Sequence, residues 1–411
     1  MNKVRNLKPW MGFYLAGVLA IHGLVFWNAR ELVKKGYPDF AIYYTAGTMV
    51  RSGMGGRLYD EAAQFRVQQQ FAQQVTTRQA ALPFNHPPFE ALLFVPFSLL
   101  SYRAAYFLWL FMNLAILAVL PGMLRDWVPM LGVAAAWVWM AAELGFFPIF
   151  FALLQGQDAI LLLFFYALAF VSLKRGRFAM AGVWLACGLF KFHLVLPFLV
   201  LLLAGQMSFE QKKRIAGGFG LAGGTLILIS LLVAGARQMM FYPRYVLGLE
   251  STMAQGAIRP SDMPNLRGMV GLLAGKLAHA EGIVLLISAV LFLLALWIVR
   301  LPEISGDSRF ALALLVTVLV SYHCLGYDLC VLTIAVLLLA GRLRSDGMGR
   351  DWTRMAMIAG MAGLLFSPLQ ALLLMRYSQL GWMGWAVLCL AIGVMAEMAR
   401  GHRVMSGARA Q

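Results

Sequence analysis

Charged residues are scarce in this sequence, and acidic residues are the scarcer kind. Only 13% of the 411 residues are charged, with 18 Asp and Glu against 34 Lys and Arg. Soluble globular domains carry about a quarter of charged residues. The shortage excludes an ordinary soluble enzyme, a disordered chain and a nucleic-acid-binding module. The basic excess is better explained by membrane-flanking residues than by a nucleic-acid partner.

Cysteine is also rare, and its placement excludes two further classes of protein. The four cysteines lie in apolar sequence and form no C-x-x-C pair: Cys187, Cys324, Cys330 and Cys389. A disulfide-stabilised fold and a cysteine zinc site are therefore not expected. A cleavable signal peptide is not expected either, because no small-residue cleavage site follows the first apolar run, 10–27.

Apolar residues are what the sequence has in excess, at 61% of the chain with a mean hydropathy of +0.75. They form runs without the alternation of barrel strands, so helices are the expected way to cross a bilayer. The sequence predicts an all-α polytopic membrane protein, a single membrane domain over 1–411 with about 12–14 transmembrane helices. The candidate segments are 10–27, 87–100, 104–122, 128–142, 145–154, 158–173, 178–190, 194–206, 215–234, 282–299, 310–325, 328–340, 355–375 and 381–399.

The distribution of basic residues predicts the orientation of these helices. If the segments alternate from a cytoplasmic N-terminus, the inner connections, 101–103 among them, hold 19 Lys and Arg. The short outer connections hold three, Arg125, Lys191 and Arg376. By the positive-inside rule both termini are cytoplasmic, and the long segments 28–86 and 235–281 are extracytoplasmic.

The two long segments have room for structure outside the membrane. The first is too long to be a plain connection, and its pattern predicts helices near 40–52 and 60–75. The helix at 40–52 is amphipathic and is expected to lie at the membrane interface. Segment 235–281 contains three prolines and is expected to be mostly irregular.

Several polar residues stand where a charge or amide is costly, and each has a structural and a functional interpretation. Asp39 follows the first span and is either the cap of the next helix or a general base at the membrane surface. Lys191 and His193 interrupt an apolar stretch, as a snorkelling turn or as a cationic phosphate site. His323 and Asp328 flank a turn as a His–carboxylate pair, with a metal site as the weaker alternative.

The remaining candidates are amides, a histidine, an acid and an arginine near the ends of apolar runs. Asp158 is expected to cap a helix, and Gln155 and Gln157 are suited to binding sugar hydroxyls. His86 precedes the Pro87-Pro88 helix start, and Arg267 is either a phosphate clamp or an interfacial residue. All of these positions fall on the predicted outer face, together with Asp39, Lys191 and His323. An outer site with one carboxylate and several cations suits an anionic, lipid-linked substrate.

A series of short motifs resembles a known family. Asp39-Phe40, Tyr43-Tyr44-x-Ala46-Gly47 and Leu58-Tyr59-Asp60 are similar to the first-loop signature of glycosyltransferase family 87, polyprenol-phosphate-mannose-dependent mannosyltransferases and relatives in the GT-C superfamily. Further blocks follow in family order over roughly 37 to 330. They are Pro87-Pro88-Phe89, Gly156-Gln157-Asp158, Lys191, Asn265-Leu266-Arg267-Gly268, Ser321-Tyr322-His323 and Tyr327-Asp328.

The resemblance implies a GT-C bundle with interfacial helices in the first long loop, in a bacterial-type inner (plasma) membrane. It implies transfer of mannose or another hexose from a polyprenyl-phosphate donor to a glycolipid, glycan or protein acceptor, with inversion, on the extracytoplasmic face. Asp39 would be the general base. Lys191, Arg267, His323 and His193 would bind the donor phosphate. Sugar or acceptor contacts would come from Tyr43, Tyr44, His86, Gln155, Gln157, Asn265 and Asp328. No cofactor is expected with certainty and no metal ligand is assigned; metal dependence varies across GT-C enzymes, so a divalent metal is allowed but not indicated.

Two other functions fit parts of the pattern. A transporter or flippase for a lipid-linked or anionic solute would also use broken helices and outer-face cations. The chain has no convincing internal repeat, however, and its polar residues cluster toward one face. A non-catalytic assembly protein would not need Asp39, so a neutral substitution there would be silent.

Overall fold

All regular secondary structure is helical in the residues that a computed structural model describes, which are 7–71, 82–252, 259–274, 279–302, 304–345 and 351–409. No strand occurs within them, so the predicted all-α polytopic class is confirmed. The helices are α1 Leu7–Lys35, α2 Ala41–Arg51, α3 Glu61–Phe71, α4 Pro88–Leu93, α5 Tyr102–Leu124, α6 Ala136–Gly145, α7 Phe147–Gln155, α8 Ala159–Lys174, α9 Phe178–Cys187, α10 Phe192–Ala204, α11 Phe209–Thr252, α12 Leu266–Ala274, α13 Ala280–Ile298, α14 Gly306–Val320, α15 Leu332–Ser345, α16 Trp352–Leu365, α17 Ser367–Leu372 and α18 Met383–Arg409.

Side-chain contacts define two ends of the helix bundle. The loop end carries the segments 36–71 and 82–101. There the Tyr106 hydroxyl of α5 donates to the Leu154 carbonyl of α7 at 2.8 Å. At the opposite end Lys174 pairs with Asp307, and the Gln206 amide donates to the Arg300 carbonyl. Most of the buried apolar core lies between these ends.

Seven described helices are long and apolar enough to cross a membrane, or nine if each of two bent pairs counts as one span. Shorter helices also run from end to end, α8 and α14 among them. One of the seven, 178–204, contains the 3-10 turn Gly188–Lys191 in its middle. Phe178 and Leu202, which lie near the two ends of this segment, line the same cavity. The chain therefore folds back at this turn. Within the described residues it passes between the two ends about twelve times, if helices shorter than the ~20 residues of a standard span are also counted as crossings.

The predicted span 87–100 is wrong. It forms the six-residue helix α4 and the 3-10 turn Phe97–Leu99, both within the loop end. The physical reason is the proline spacing, because Pro88 starts a helix and Pro96 stops it before it can cross a bilayer. As a result Arg103 lies at the loop end, where Tyr102 contacts Tyr37, and Arg125 lies at the other end of α5.

A second departure compensates for the first. The predicted spans 128–142 and 145–154 form α6 and α7, two short helices bent by 78° that together make one crossing. Two counting errors cancel, so every segment from Asp158 onward keeps its predicted end of the bundle.

The loop helix α2 lies in the predicted place but has a different environment. Its bounds match the predicted 40–52, yet seven of its eleven residues are buried rather than one amphipathic face. Gly47 packs against the Phe94 carbonyl, where a Cβ would collide with backbone. The rings of Tyr43 and Phe94 stack with centroids 4.8 Å apart. The helix therefore forms the core of the loop instead of covering it.

The second long segment is more helical than predicted. Helix α11 kinks at Gly235, which has φ 79° and ψ 160°, and then continues to Thr252. Beyond the kink the Gln238 amide donates to the Gly56 carbonyl, and the Tyr242 hydroxyl donates to the Asn85 carbonyl. The prediction that 235–281 is mostly irregular is wrong, since the described part of this segment is mainly helical and its stretch 236–252 contacts the first loop.

Candidate functional site

Asp39 lies in the loop end, inside the 3-10 turn Pro38–Phe40 that precedes α2. The N-cap residue of α2 is Phe40, so the interpretation of Asp39 as that cap is wrong by one residue. Asp39 is partly exposed. Burial, and then the charge of Asp39, raise the pKa of Tyr37, whose hydroxyl lies against Gln155. The carboxylate is also within electrostatic range of Tyr327.

Lys191 is held at the centre of the loop end by two carboxylates. Its Nζ lies 2.9 Å from Asp158 Oδ1 and 3.0 Å from Asp328 Oδ1, and 5.2 Å from the centre of the Tyr327 ring. The turn Gly188–Lys191 presents it, and the side chain is almost fully buried. One ammonium group here contacts two carboxylates, one at the start of α8 and one in the 3-10 turn Gly326–Val331.

Asp158 is the N-cap residue of α8, as its position in the sequence predicts, but its side chain makes no capping hydrogen bond. Its carboxylate faces Lys191 and His86 instead. Burial alone would raise the pKa of Asp158, but the charges of Lys191 and His86 outweigh burial and bring it below its ordinary value. Asp158 therefore stays ionised although its side chain is fully buried.

His86 and Glu90 complete this group from the first loop. His86 Nδ1 lies 2.7 Å from Glu90 Oε2 and 3.5 Å from Asp158 Oδ2. Burial would lower the pKa of His86, but the charges of Glu90 and Asp158 raise it overall. Burial raises the pKa of Glu90 to about 7, although the charge of His86 opposes this. The ligand atoms of His86, Glu90 and Asp158 lie within 4.8 Å of one another.

Glu90 was not predicted as a site residue, although a signal for it exists. It is the one charged residue in the apolar stretch 87–100. An ionisable residue in such a stretch is a functional candidate by default. Its position four residues after His86 places both side chains on one side of the α4 helix start, which is the spacing of a direct contact.

Arg267 forms a second cationic group at the same end. Its guanidinium lies over the Tyr322 ring at 3.9 Å, and it donates to the Tyr322 hydroxyl at 3.0 Å and to Glu281 at 3.1 Å. Asn265 fixes the position of this group, because its Nδ2 donates to the Ser321 carbonyl at 2.6 Å and its Oδ1 accepts from Gly268 N. Asn265 thus joins the start of α12 to the turn that carries His323.

Two histidines connect the groups. The rings of His193 and His323 meet edge to face with centroids 5.9 Å apart. His193 is also within electrostatic range of Lys191 and His86. Side chains from distant parts of the sequence therefore meet at one end of the bundle. Asp39 is within electrostatic range of Tyr327, whose ring faces Lys191.

Most of the predicted sugar or acceptor contacts are buried behind this group. The Tyr43 hydroxyl donates to Gln157 Oε1 at 2.8 Å, and the Tyr44 hydroxyl donates to the Leu100 carbonyl at 2.7 Å. Asn265 and Asp328 are fully buried as well. These buried side chains are suited to fixing the structure around the site, whereas His86 and Gln155 are partly exposed.

Comparison with known proteins identifies the class to which these residues belong. The sequence profile of glycosyltransferase family 87 matches residues 84–326, more than half of the chain. The matched region includes His86, Lys191 and His323. No curated protein and no solved structure matches significantly. This helical membrane chain, with its ionisable residues gathered at one end, belongs to glycosyltransferase family 87.

Proposed function

We propose that this membrane glycosyltransferase moves a hexose, such as mannose, from a polyprenyl-phosphate donor to an acceptor hydroxyl on a glycolipid, glycan or protein. Family membership supports the general class of reaction. The observation that carries the finer proposal is that the partly exposed carboxylate of Asp39, the guanidinium of Arg267 and the imidazole of His323 lie at the same end of a membrane bundle. A lipid-linked anionic donor needs this combination.

The proposed step is a single displacement with inversion. Asp39 accepts the proton of the acceptor hydroxyl while that oxygen forms a bond to the anomeric carbon. The bond from the anomeric carbon to the phosphate oxygen breaks, and polyprenyl phosphate leaves with the electron pair. Because phosphate is stable as an anion, no acid has to protonate it, in contrast to the leaving alcohol of glycoside hydrolysis.

We assign the donor phosphate to Arg267 and His323, with His193 beside them. The partner of Arg267, Glu281, has a side chain that is 56% exposed, so an incoming phosphate can replace it at little cost. The planar guanidinium also matches a phosphate in a bidentate way. Preorganised cations stabilise the charge that develops on the leaving group.

We assign Lys191 a different part from the phosphate contact proposed on sequence grounds. Its charge is balanced by two buried carboxylates, and a phosphate would have to expel one of them. Leaving such a carboxylate buried without its partner is costly. In this proposal Lys191 positions Asp158 and Asp328, and the phosphate lies on the side of His323.

The extracytoplasmic side of a bacterial-type plasma membrane is the proposed location of the loop end. The connections at the opposite end include Lys174, Arg175 and Arg177 together with Lys212, Lys213 and Arg214. Such a basic concentration favours a cytoplasmic position for that end and for both termini.

The first test is sugar transfer from radiolabelled polyprenyl-phosphate-mannose in membranes that contain the wild type, Asp39→Asn or Glu61→Gln. Asn keeps the size of Asp39 but does not accept a proton, so we expect a loss of about 10²–10⁴-fold in labelled product. Glu61→Gln removes an exposed carboxylate from the same loop and is expected to keep full activity.

The outcomes separate the parts of this proposal. Equal product from wild type and Asp39→Asn, at equal protein levels, removes Asp39 from the chemistry. Transfer from polyprenyl-phosphate-glucose but not from the mannose donor changes the sugar and leaves the mechanism in place. Transfer from a nucleotide sugar in place of the lipid donor contradicts the assigned donor class.

A further inference from the structure

We propose that His86, Glu90 and Asp158 form a binding site for one divalent cation. The proposed function does not require such an ion, and none of these three residues is predicted as a metal ligand from the sequence. The site joins the first loop, which carries His86 and Glu90, to the start of α8, which carries Asp158. Its three ligand atoms lie within 4.8 Å of one another.

The distances fit a common coordination sphere. His86 Nδ1 is 2.7 Å from Glu90 Oε2 and 3.5 Å from Asp158 Oδ2. Ligands at about 2.0–2.1 Å from a tetrahedral Zn²⁺ are separated by about 3.3 Å, so small shifts bring all three atoms onto one ion. One nitrogen and two carboxylate oxygens suit ions of the Mn²⁺ and Zn²⁺ class. A fourth position is left for water or another ligand.

An independent observation is the contact between the two carboxyl groups. Glu90 and Asp158 are 2% and 0% exposed, and they lie within hydrogen-bonding distance of each other. Neither ionised group is a donor, and within the described residues Glu90 Oε1 accepts no hydrogen bond. Two buried carboxylates that face each other need a cation or a proton between them.

The formal charges of the surrounding residues favour a doubly charged ion. Lys191 supplies one positive charge against the carboxylates of Asp158, Asp328 and Glu90. A metal-bound His86 offers a neutral imidazole, so two negative charges then remain on carboxylates that are themselves buried. One divalent cation balances them. Lys191 meanwhile binds Asp158 through Oδ1 and leaves Oδ2 to face the ion, as an outer partner of a metal ligand does.

The test is metal binding by the full-length protein in detergent, with no sugar donor present. Chelator-treated wild type is titrated with MnCl₂, and free Mn²⁺ is followed by electron paramagnetic resonance. We expect about one Mn²⁺ per chain, its displacement by Zn²⁺, and a higher Tm with either ion. Glu90→Gln keeps the shape of the side chain and is expected to weaken binding about tenfold or more.

The matched control is Glu61→Gln, which removes an exposed carboxylate from the same loop and is expected to bind Mn²⁺ like the wild type. The proposal is overturned if the wild type binds no stoichiometric Mn²⁺ or Zn²⁺ and its Tm is unchanged by both ions. It is also overturned if Glu90→Gln binds as tightly as the wild type. Because the first readout is metal binding by the wild type itself, it depends neither on how the variants fold nor on activity toward the mannose donor.

Discussion

Lys191 shows at the scale of one residue why a costly group persists in an apolar bundle. The free-energy cost of taking the Lys191 ammonium out of water is offset by two carboxylates at 2.9 and 3.0 Å and by the face of the Tyr327 ring. Such a group gives weak net stability as a whole, yet the loss of one member leaves the others unbalanced. The cation therefore fixes the positions of α8 and of the turn at Asp328 relative to the Gly188–Lys191 turn.

Replacing Lys191 by Met is expected to destabilise the protein strongly. The substitution keeps the chain length but leaves Asp158 and Asp328 without their cation, at a cost of about 3–5 kcal/mol. The measurement is Tm in detergent. Lys34→Met is the control, because Lys34 pairs with Glu31 on the exposed end of α1 and no change in Tm is expected there. A similar Tm for both variants contradicts the buried ion-pair account.

The sequence identified individual residues of this site but not how they are paired. The cost of polar groups in apolar stretches pointed to Asp39, Lys191 and His323, which the fold brings to one end. The Lys191 contact with Asp158 spans 33 positions and that with Asp328 spans 137, and no local pattern encodes such pairings. Glu90 is missing from the predicted site because the residues around it also fit a plain helix start.

Gly235 shows at the scale of an element how α11 serves both the membrane and the loop. Its φ of 79° and ψ of 160° lie in a region that is essentially open to glycine alone. The turn redirects the helix so that Gln238 and Tyr242 reach the first loop. Just before it, the Val233 carbonyl packs on Gly55, where a Cβ would collide with it.

Gly235→Ala is expected to lower the stability of the protein by about 1–3 kcal/mol, because alanine is strained in this conformation. The matched control is Gly220→Ala in the same helix, where φ is helical and a Cβ has nothing within 4 Å. That substitution is expected to be neutral or to stabilise by up to about 1 kcal/mol. Thermal unfolding of the two variants side by side measures both effects, and equal shifts would argue against a required kink.

Helix positions were more predictable than helix environments. The periodicity in the first loop gave α2 its bounds, since glycines terminate it at 53–56, but it suggested an interface where the structure has a core. The prolines of segment 235–281 predict irregular structure, yet Pro243 lies within α11. Contacts between residues far apart in the sequence bury α2 and hold the end of α11 against the first loop. A local sequence pattern contains no information about such contacts.

The whole molecule keeps its charge asymmetry even though one predicted span does not exist. Because 87–100 is not a span, Arg103 lies at the loop end and Arg125 at the opposite end. The number of basic residues at each end is unchanged, since one arginine replaces the other. The bent pair α6 and α7 then counts once, which restores the predicted alternation. An orientation rule based on summed charge is insensitive to such paired errors, so it gives the overall orientation better than the individual connections.

The two ends of α5 provide the decisive test of this arrangement. Arg103→Cys and Arg125→Cys both place a thiol at an exposed position, in a chain whose partly exposed Cys187 and Cys389 are changed to Ser. A membrane-impermeant maleimide applied to intact spheroplasts is expected to label position 103, together with a Glu61→Cys reference in the first loop. Position 125 should react only after permeabilisation, because a 23-residue helix separates the two sites and is long enough to cross the bilayer. Labelling of position 125 but not of 103 in intact spheroplasts would restore the span at 87–100 or reverse the orientation, and the Glu61→Cys reference distinguishes these two cases.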